Sequence, residues 1–413
     1  MPTIKSMGQR DCRNGTRPAR LTAFRNDICG TPGVVSSVAE NERRFHRYPI
    51  WAPRYWGGMT VSGWWGLLSR NRFAVHPSRM PWAILISAVV PFNSLLALLQ
   101  CILFSRKINK TQLCGPPVFV IGHWRSGTTY LQELLSLDPR HAAPTTLQTY
   151  AANHFLVSQW FVTRFLSWML PARRPMDNVE ISWNSPQEDE WAMSTMGLPA
   201  PYQKIAFPCN SPPALDYLDM DSLSPAELDR WSAALVSFFK AVTLKTGRQL
   251  ILKSPHHTGR IHVLSRLFPD ARFVHISRDP YTLLPSTVRM YRAFEETQSL
   301  QVPPQEGLER YVLETGERVY HSYFRHRGEL PNNRLCEVTF EELTQDSVGT
   351  MEKIYRQLEL GDFGVARPAV EEYAGRRENY QKNRYLFPAE WKSEIQTHWK
   401  DYFDHFGYPR QTE

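Results

Sequence analysis

The chain has 413 residues, with 48 Lys and Arg against 40 Asp and Glu, and therefore a net charge of +8; hydrophobic residues make up 42% of it. This is the composition of a globular protein, and it excludes a disordered or collagen-like chain. Six cysteines are too few for a disulfide scaffold and lack the spacing of a zinc site, so we expect no bound metal.

The basic residues are concentrated at the N-terminus. Residues 1–80 hold 13 Lys or Arg and 4 Asp or Glu, which leaves the rest of the chain close to neutral. A nucleic-acid-binding protein is expected to carry its basic surplus on the folded body, so we expect no nucleic acid partner. A basic surplus just before an apolar stretch is instead typical of contact with a membrane surface.

Three parts of the chain are predicted: a poorly ordered basic arm over residues 1–58, an apolar helical segment over 59–112, and one catalytic domain over 113–413. Residues 81–105 contain no charged residue and are long enough to span a bilayer. The stretch is interrupted by Pro91 and by polar residues, and its second half has an apolar stripe at helical spacing. We predict two short helices broken at Pro91, packed on the body or lying on a lipid surface, with a true span as the alternative.

A glycine-rich loop follows the short apolar run Val118–Ile121, and a helical pattern begins directly after it. The loop reads GHWRSGTT from Gly122 to Thr129 and has the glycine spacing of a P-loop, but it lacks the lysine with which ATPases reach the β- and γ-phosphates. Backbone N–H groups at a helix N-terminus can still bind a phosphate, and Arg125 is the permanent cation of the loop. A tight turn without a ligand is the alternative interpretation.

Two further apolar runs end in polar residues. The run at 250–252 is followed by Lys253, His256 and His257, and the run at 272–277 is followed by Arg278, with Ser286 eight residues beyond it. Alternating strands and helices predict an α/β fold, a P-loop-like parallel sheet with helices on both faces. Ligands bind at the carboxyl ends of the strands in such sheets, so we expect these side chains to meet.

These motifs resemble those of sulfotransferases that use 3′-phosphoadenosine 5′-phosphosulfate (PAPS). The resemblance is carried by GHWRSGTT, LKSPHHTGRI, FPDARFVHISRDP and the acidic PQEDE, and it runs from about Pro116 to Leu343, more weakly to Tyr408. It implies a 3′-phosphate site at Arg278 and Ser286. It also implies a 5′-phosphosulfate site built from the residues Arg125, Ser126, Gly127, Thr128 and Thr129.

Sulfuryl transfer resembles phosphoryl transfer, so catalysis is expected to consist of positioning and charge stabilisation. We expect Arg125 to neutralise the leaving phosphate oxygen and Lys253 to hold the bridging or sulfuryl oxygens. An alcohol acceptor needs a general base, for which we favour His257, with His256 and Glu188 as alternatives. Glu188 can also be interpreted as an ordinary acid at a helix N-terminus. Lys382, in a late basic segment, is a candidate for closing over the 3′-phosphate.

The predicted function is transfer of the sulfuryl group of PAPS, without a metal, to a hydroxyl or an amine of a small or lipid-like acceptor. A P-loop nucleotide kinase or NTPase and a non-catalytic membrane-surface module are the alternatives. We expect a cytoplasmic catalytic body, with membrane attachment through residues 81–105 left open, and acceptor specificity in the region of residues 150–215.

Overall fold

A parallel sheet of five strands forms the centre of the protein. The computed structural model describes residues 51–171, 180–376 and 390–411. The strands lie in the order β2-β3-β1-β4-β5, and every neighbouring pair is parallel. They are β1 Val118–Ile121, β2 His141–Ala142, β3 Gln249–Lys253, β4 Arg272–Ser277 and β5 Leu335–Thr339. In the register of the sheet, Phe119 of β1 stands between Leu252 and Phe273.

Sixteen α-helices lie in the described parts of the chain. They are α1 Val61–Arg70, α2 Met80–Lys110, α3 Thr128–Leu135, α4 Thr146–Tyr150, α5 Phe155–Phe165, α6 Asp189–Thr195, α7 Gln203–Ala206, α8 Pro225–Thr246, α9 Ile261–Leu267, α10 Pro280–Gln298, α11 Leu308–His326, α12 Phe340–Gln345, α13 Ser347–Leu358, α14 Arg367–Arg376, α15 Glu390–His398 and α16 Lys400–Phe406.

The two faces of the sheet pack into two separate hydrophobic cores. All four residues of β1 are buried, and successive side chains of a strand point to opposite faces. Phe119 and Ile121 accordingly enter a core shared with α8, α10 and α11, whereas Val118 and Val120 enter one shared with α3 and α13. Helices cover both faces, so the predicted α/β fold class is confirmed.

The predicted break at Pro91 is wrong, because α2 is one helix of 31 residues with Pro91 inside it. A proline removes one helical hydrogen bond and costs about 3 kcal/mol, so something must hold the two halves together. Asn93, two residues later, fastens this part of the helix to the body: its Nδ2 donates to the carbonyl oxygens of Gly57 at 2.8 Å and Met59 at 2.9 Å. Tertiary contacts thus keep the helix continuous across the proline.

The packed body begins before residue 58, the predicted end of the basic arm. Tyr55 and Trp56 are buried in the same core as Phe119, and the indole Nε1 of Trp56 donates to the carbonyl oxygen of Gln298 at 2.7 Å. The residues of the predicted arm from 51 to 58 are therefore part of this body. Residues 1–50 lie outside the described residues.

Candidate active site

The loop after β1 has a backbone shape that requires glycine at two positions. Gly122 has a φ of 145° and Gly127 a φ of 107°, and Arg125 between them is also left-handed, with a φ of 67°. A Cβ at Gly122 would collide with the carbonyl oxygen of Ile276, and one at Gly127 would lie 2.5 Å from the ring of Phe340. The loop is thus packed tightly between β4 and the residue that follows β5.

The N-terminus of α3 fits an oxyanion. Thr128 and Thr129 form the first turn of α3, where helical N–H groups have no partner within the helix, and the N-cap residue Gly127 offers no capping side chain. The buried hydroxyl of Ser126 also lacks a hydrogen-bond partner among the described residues. Donors of this kind at a helix N-terminus are well suited to bind a phosphate or sulfate group.

The structure brings the predicted residues Arg125, Arg278 and Ser286 together. Nη1 of Arg278 donates to the carbonyl oxygen of Arg125 at 2.9 Å, and Nε of Arg125 donates to Oγ of Ser286 at 3.1 Å. The Arg278 guanidinium lies 4.3 Å from the centre of the Phe340 ring, at cation–π distance. Two guanidinium groups and a hydroxyl therefore form one cluster at the carboxyl ends of β1 and β4.

The residue pair Lys253 and Glu188 forms a second cluster at the end of β3. Nζ of Lys253 donates to Oε1 of Glu188 at 2.7 Å, and the Tyr202 hydroxyl donates to Oε2 at 2.6 Å. Tyr202 in turn accepts a hydrogen bond from the indole Nε1 of Trp124 at 3.1 Å. Burial raises the pKa of Tyr202 well above its ordinary value, and the negative charge of Glu188 raises it further, so Tyr202 remains a proton donor.

Glu188 does not act as a simple helix cap. It occupies the N-cap position of α6, but its side chain makes no capping hydrogen bond and turns to Lys253 and Tyr202 instead. Its side chain is 15% exposed, whereas that of Lys253 is 2% exposed. Glu188 is therefore the more exposed member of this pair.

The two candidate histidines point away from solvent. His257 is fully buried against Phe119, with Nε2 2.8 Å from Oδ1 of the buried Asp189. His256 is fully buried between Trp124 and Tyr202, and burial lowers its pKa to about 3. A 3₁₀ helix over Pro255–Arg260 turns both rings inward. The geometry does not favour our choice of His257 as the base, because its ring is inside the core.

Three supporting side chains were missed by the sequence analysis. Thr258 accepts a hydrogen bond from the backbone N–H of Gly122 at 2.8 Å, and the Tyr402 hydroxyl accepts one from the backbone N–H of Arg278 at 2.9 Å. Phe340 contacts both the Arg278 guanidinium and the loop. Phe340 follows β5 directly, so the rule that ligands bind at strand ends could have identified it, whereas no sequence signal pointed to the other two.

A group of side chains with metal-ligand spacing lies elsewhere in the described part of the chain. The ligand atoms of Asp221, His262 and His326 are all within 4.8 Å of one another. The Asp221 carboxylate also accepts a hydrogen bond from Arg325, so a cation there would compete with a guanidinium.

The candidate Lys382 lies outside the described residues.

Similarity to known proteins identifies the family of this chain. The family model described as the sulfotransferase family matches residues 116–363. Curated proteins of Mycobacterium bovis and Mycobacterium tuberculosis, each named omega-hydroxy-beta-dihydromenaquinone-9 sulfotransferase Stf3, are 38% identical over 369 residues, which is 89% of this chain and 95% of the relative.

Two solved structures have the same fold. Sulfotransferase STF9 from Mycobacterium avium aligns with a TM-score of 0.56 at 16% identity, over 86% of this chain and 98% of that one. Sulfotransferase STF1 from Mycobacterium tuberculosis aligns with a TM-score of 0.52 at 16% identity, over 84% and 88%. With the family match and the identity to the curated relatives, it follows that the chain belongs to the sulfotransferase family.

Proposed function

We propose that this sulfotransferase moves the sulfuryl group of PAPS to the hydroxyl of a lipid-like acceptor. The observation that carries the proposal is the cluster of Arg125, Arg278 and Ser286 beside the uncapped N-terminus of α3. PAPS has a phosphosulfate at one end and a 3′-phosphate at the other. The α3 N-terminus suits the first group and the guanidinium cluster suits the second, because each presents donors to an anion.

The contacts support a revised division of labour between the cations. Because the Arg125 side chain donates to Ser286, we assign it to the 3′-phosphate together with Arg278. Lys253 is then the cation for the transferring group, since it ends the neighbouring strand beside Glu188. In this role Lys253 balances the negative charge that develops on the leaving phosphate oxygen, while Ser126 and the N–H groups of α3 hold the phosphate.

Glu188 is the general base that the geometry supports best. In the structure its carboxylate forms an ion pair with the Lys253 ammonium, and a bound anion would attract that ammonium towards itself. Glu188 would then be free to accept the proton of the acceptor hydroxyl as the new S–O bond forms and the bond from sulfur to the phosphate oxygen breaks. Tyr202, with its hydrogen bond to Oε2, keeps the carboxylate in place.

The acceptor is proposed from the relatives. The curated proteins are named for a hydroxylated dihydromenaquinone, and we propose a lipid-like hydroxyl acceptor for this chain as well. A donor made in the cytosol and an acceptor held in lipid meet at the membrane surface. We therefore propose a cytoplasmic catalytic body that is attached to the membrane surface.

Ligand binding followed by turnover tests the proposal. We expect adenosine 3′,5′-bisphosphate to stabilise the protein by about 2.7 kcal/mol at a hundred times its Kd, with AMP weaker and ATP with Mg²⁺ without specific effect. Radiolabelled PAPS should then transfer label to a membrane lipid extract. Stabilisation by ATP with Mg²⁺ alone would contradict the proposal in favour of a nucleotide kinase, and bisphosphate binding without transfer would favour a non-catalytic module.

A further inference from the structure

The outward side of α2 is apolar along its whole length. The helix buries one side on the body, and the large side chains on the other side are between 42% and 70% exposed. These exposed residues are Ile84, Leu85, Phe92, Leu95, Leu98, Leu99, Ile102 and Leu103. The segment Pro77–Lys110 is long and apolar enough to cross a membrane, and only 17% of its most apolar window is buried. Soluble proteins rarely expose a continuous apolar surface of this length.

A cluster of exposed aromatic residues lies next to α2. Gln100 of α2 donates from Nε2 to the carbonyl oxygen of Asn153 at 3.0 Å and accepts at Oε1 from the backbone N–H of Leu156 at 2.8 Å, so α5 begins beside it. Further along the same segment, four aromatic side chains are between 49% and 72% exposed; they are Trp160, Phe161, Phe165 and Trp168. We call these residues and the exposed side of α2 the apolar face. Exposed tryptophans are typical of surfaces at the interface of a membrane with water.

Basic residues flank the exposed side of α2 at both of its ends. Residues 51–132 contain eight Lys or Arg and no Asp or Glu, and residues 139–171 also contain no acidic residue. Arg79 precedes the uncharged stretch of α2, and Arg106, Lys107 and Lys110 follow it. Two copies of this surface would repel each other, whereas the anionic headgroups of phospholipids complement it. The charge therefore favours a lipid surface over a second copy of the chain.

The body contacts α2 along nearly its whole length. Near one end the indole Nε1 of Trp64 donates to Oγ of Ser87 at 3.0 Å, and near the other end Nζ of Lys240 donates to the carbonyl oxygen of Asn109 at 3.2 Å. At 1.5 Å per residue these two contacts are about 33 Å apart along the axis. The helix could cross a bilayer only if the body entered the hydrocarbon with it, but it can lie in the interface with its apolar side submerged.

We propose that the apolar face docks onto an anionic lipid bilayer, with α2 lying in the plane of the membrane. This surface rests on the membrane attachment proposed above but not on the identity of the sulfuryl donor. The docked surface is also connected to the site, because the indole Nε1 of Trp183 donates to the carbonyl oxygen of Leu166, at the end of α5, five residues before Glu188. A lipid acceptor would thus meet the base from the membrane side of the protein.

Co-sedimentation with vesicles tests the surface. The wild-type protein should bind phosphatidylcholine vesicles that contain phosphatidylglycerol, and bind less to pure phosphatidylcholine or at high salt. The double variant Leu98→Glu, Ile102→Glu should lower the bound fraction about tenfold or more, because it places two charges in the submerged side. Val365→Glu is the matched control, since Val365 is 48% exposed on a different part of the protein.

Two results would overturn the docking proposal. One is equal vesicle binding, or equal lack of binding, by the wild-type and double-variant proteins. The other is a dimer of the wild-type protein in analytical ultracentrifugation together with a monomeric double variant, which would assign the face to a second copy of the chain. Unchanged stabilisation by adenosine 3′,5′-bisphosphate verifies that the variants are folded. Loss of that stabilisation in the wild type would contradict the proposed donor and leave the docking surface intact.

Depth measurements test the orientation of α2. Single spin labels at Ile84, Leu95 and Leu103 are placed in a protein in which every cysteine except the buried Cys336 is replaced by serine; the replaced residues are Cys12, Cys29, Cys101, Cys114 and Cys209. An in-plane helix gives the same shallow depth at all three positions. A deep label at Leu95 between two shallow ones would instead show a helix that spans the bilayer.

Discussion

The side chain of Arg278 has two functions, and Arg278→Ala removes both of them. Its Nη1 holds the carbonyl oxygen of Arg125, and its guanidinium belongs to the proposed 3′-phosphate site. We expect Arg278→Ala to weaken the binding of adenosine 3′,5′-bisphosphate about 10- to 100-fold, because hydrogen bonds to charged groups contribute about 1.5–3 kcal/mol. Isothermal titration calorimetry measures this loss.

The control for Arg278 is an arginine on another surface. Arg367 is 39% exposed and pairs with Glu352, far along the chain from the loop. Arg367→Ala should leave bisphosphate affinity unchanged, because exposed ion pairs contribute little. Equal affinities of Arg278→Ala and Arg367→Ala for the bisphosphate would show that Arg278 does not bind the donor.

A second residue-scale prediction concerns the base. Glu188→Gln keeps the shape of the side chain but cannot accept a proton, so we expect kcat to fall about 10²- to 10⁴-fold with little change in bisphosphate affinity. His257→Gln should mainly lower stability, since His257 lies in the core against Asp189. Steady-state kinetics and thermal unfolding of both variants measure the difference. A low kcat for His257→Gln together with an unchanged kcat for Glu188→Gln would instead identify His257 as the base.

The residues of the site were partly predictable. Arg278 lies directly after β4 and Ser286 lies in the second turn of α10, and both contact Arg125 of the loop. The orientation of Glu188 was not predictable from local sequence. It depends on Lys253, 65 residues away, and on Tyr202, and only the assembled sheet brings these three groups together.

Among the elements, α2 depends on contacts outside itself. Asn93 supplies two hydrogen bonds from a side chain that is 6% exposed, so Asn93→Ala removes the donor from the carbonyl oxygens of the buried Met59 and the half-buried Gly57. We expect the free energy of unfolding to fall by about 3 kcal/mol, at about 1–3 kcal/mol for each group. Urea unfolding measures it. Asn109→Ala, at an exposed position of the same helix, is the control, and an equal loss there would contradict the argument.

Element type was predicted better than element length. The strand-loop-helix unit around β1 and α3 followed from an apolar run, glycines and a helical stripe, all of which are local signals. The continuity of α2 across Pro91 did not, because the local rule that proline ends a helix was outweighed by packing. Asn93 and Gln100 looked like interruptions in the sequence, but in the structure they are the residues that attach the helix to the body.

At the scale of the whole molecule, buried histidines make stability depend on pH. Burial lowers the pKa of His123 and His154 to about 4 and that of His256 and His275 to about 3. In the unfolded chain a histidine has a pKa of about 6.5, so below that pH the unfolded chain binds protons that the folded protein does not. Above pH 6.5 these histidines therefore do not reduce the free energy of unfolding. Below pH 6.5 the free energy of unfolding falls as the pH decreases, by up to about 1.4 kcal/mol per pH unit for each histidine.

Denaturation curves between pH 7.5 and pH 5 measure this slope. His275→Phe should reduce this slope by up to about 1.4 kcal/mol per pH unit, which corresponds to one proton. The His275 ring stacks on Phe406 with the ring centres 4.9 Å apart, so an aromatic ring of similar size can replace it. His321→Phe, at an exposed position, should leave the slope unchanged. Stability that stays constant or rises towards pH 5 would contradict this account.

The sequence by itself determined the alternating strand and helix segments, the glycine-rich loop and the strand ends at which polar residues collect, because each depends on neighbours within about ten residues. Only the tertiary structure decided which of those polar residues meet, which histidines are buried, and that one side of α2 stays uncovered. These features depend on contacts between residues far apart in the chain, such as Lys253 with Glu188 and Asn93 with Gly57, and local patterns carry no record of such contacts.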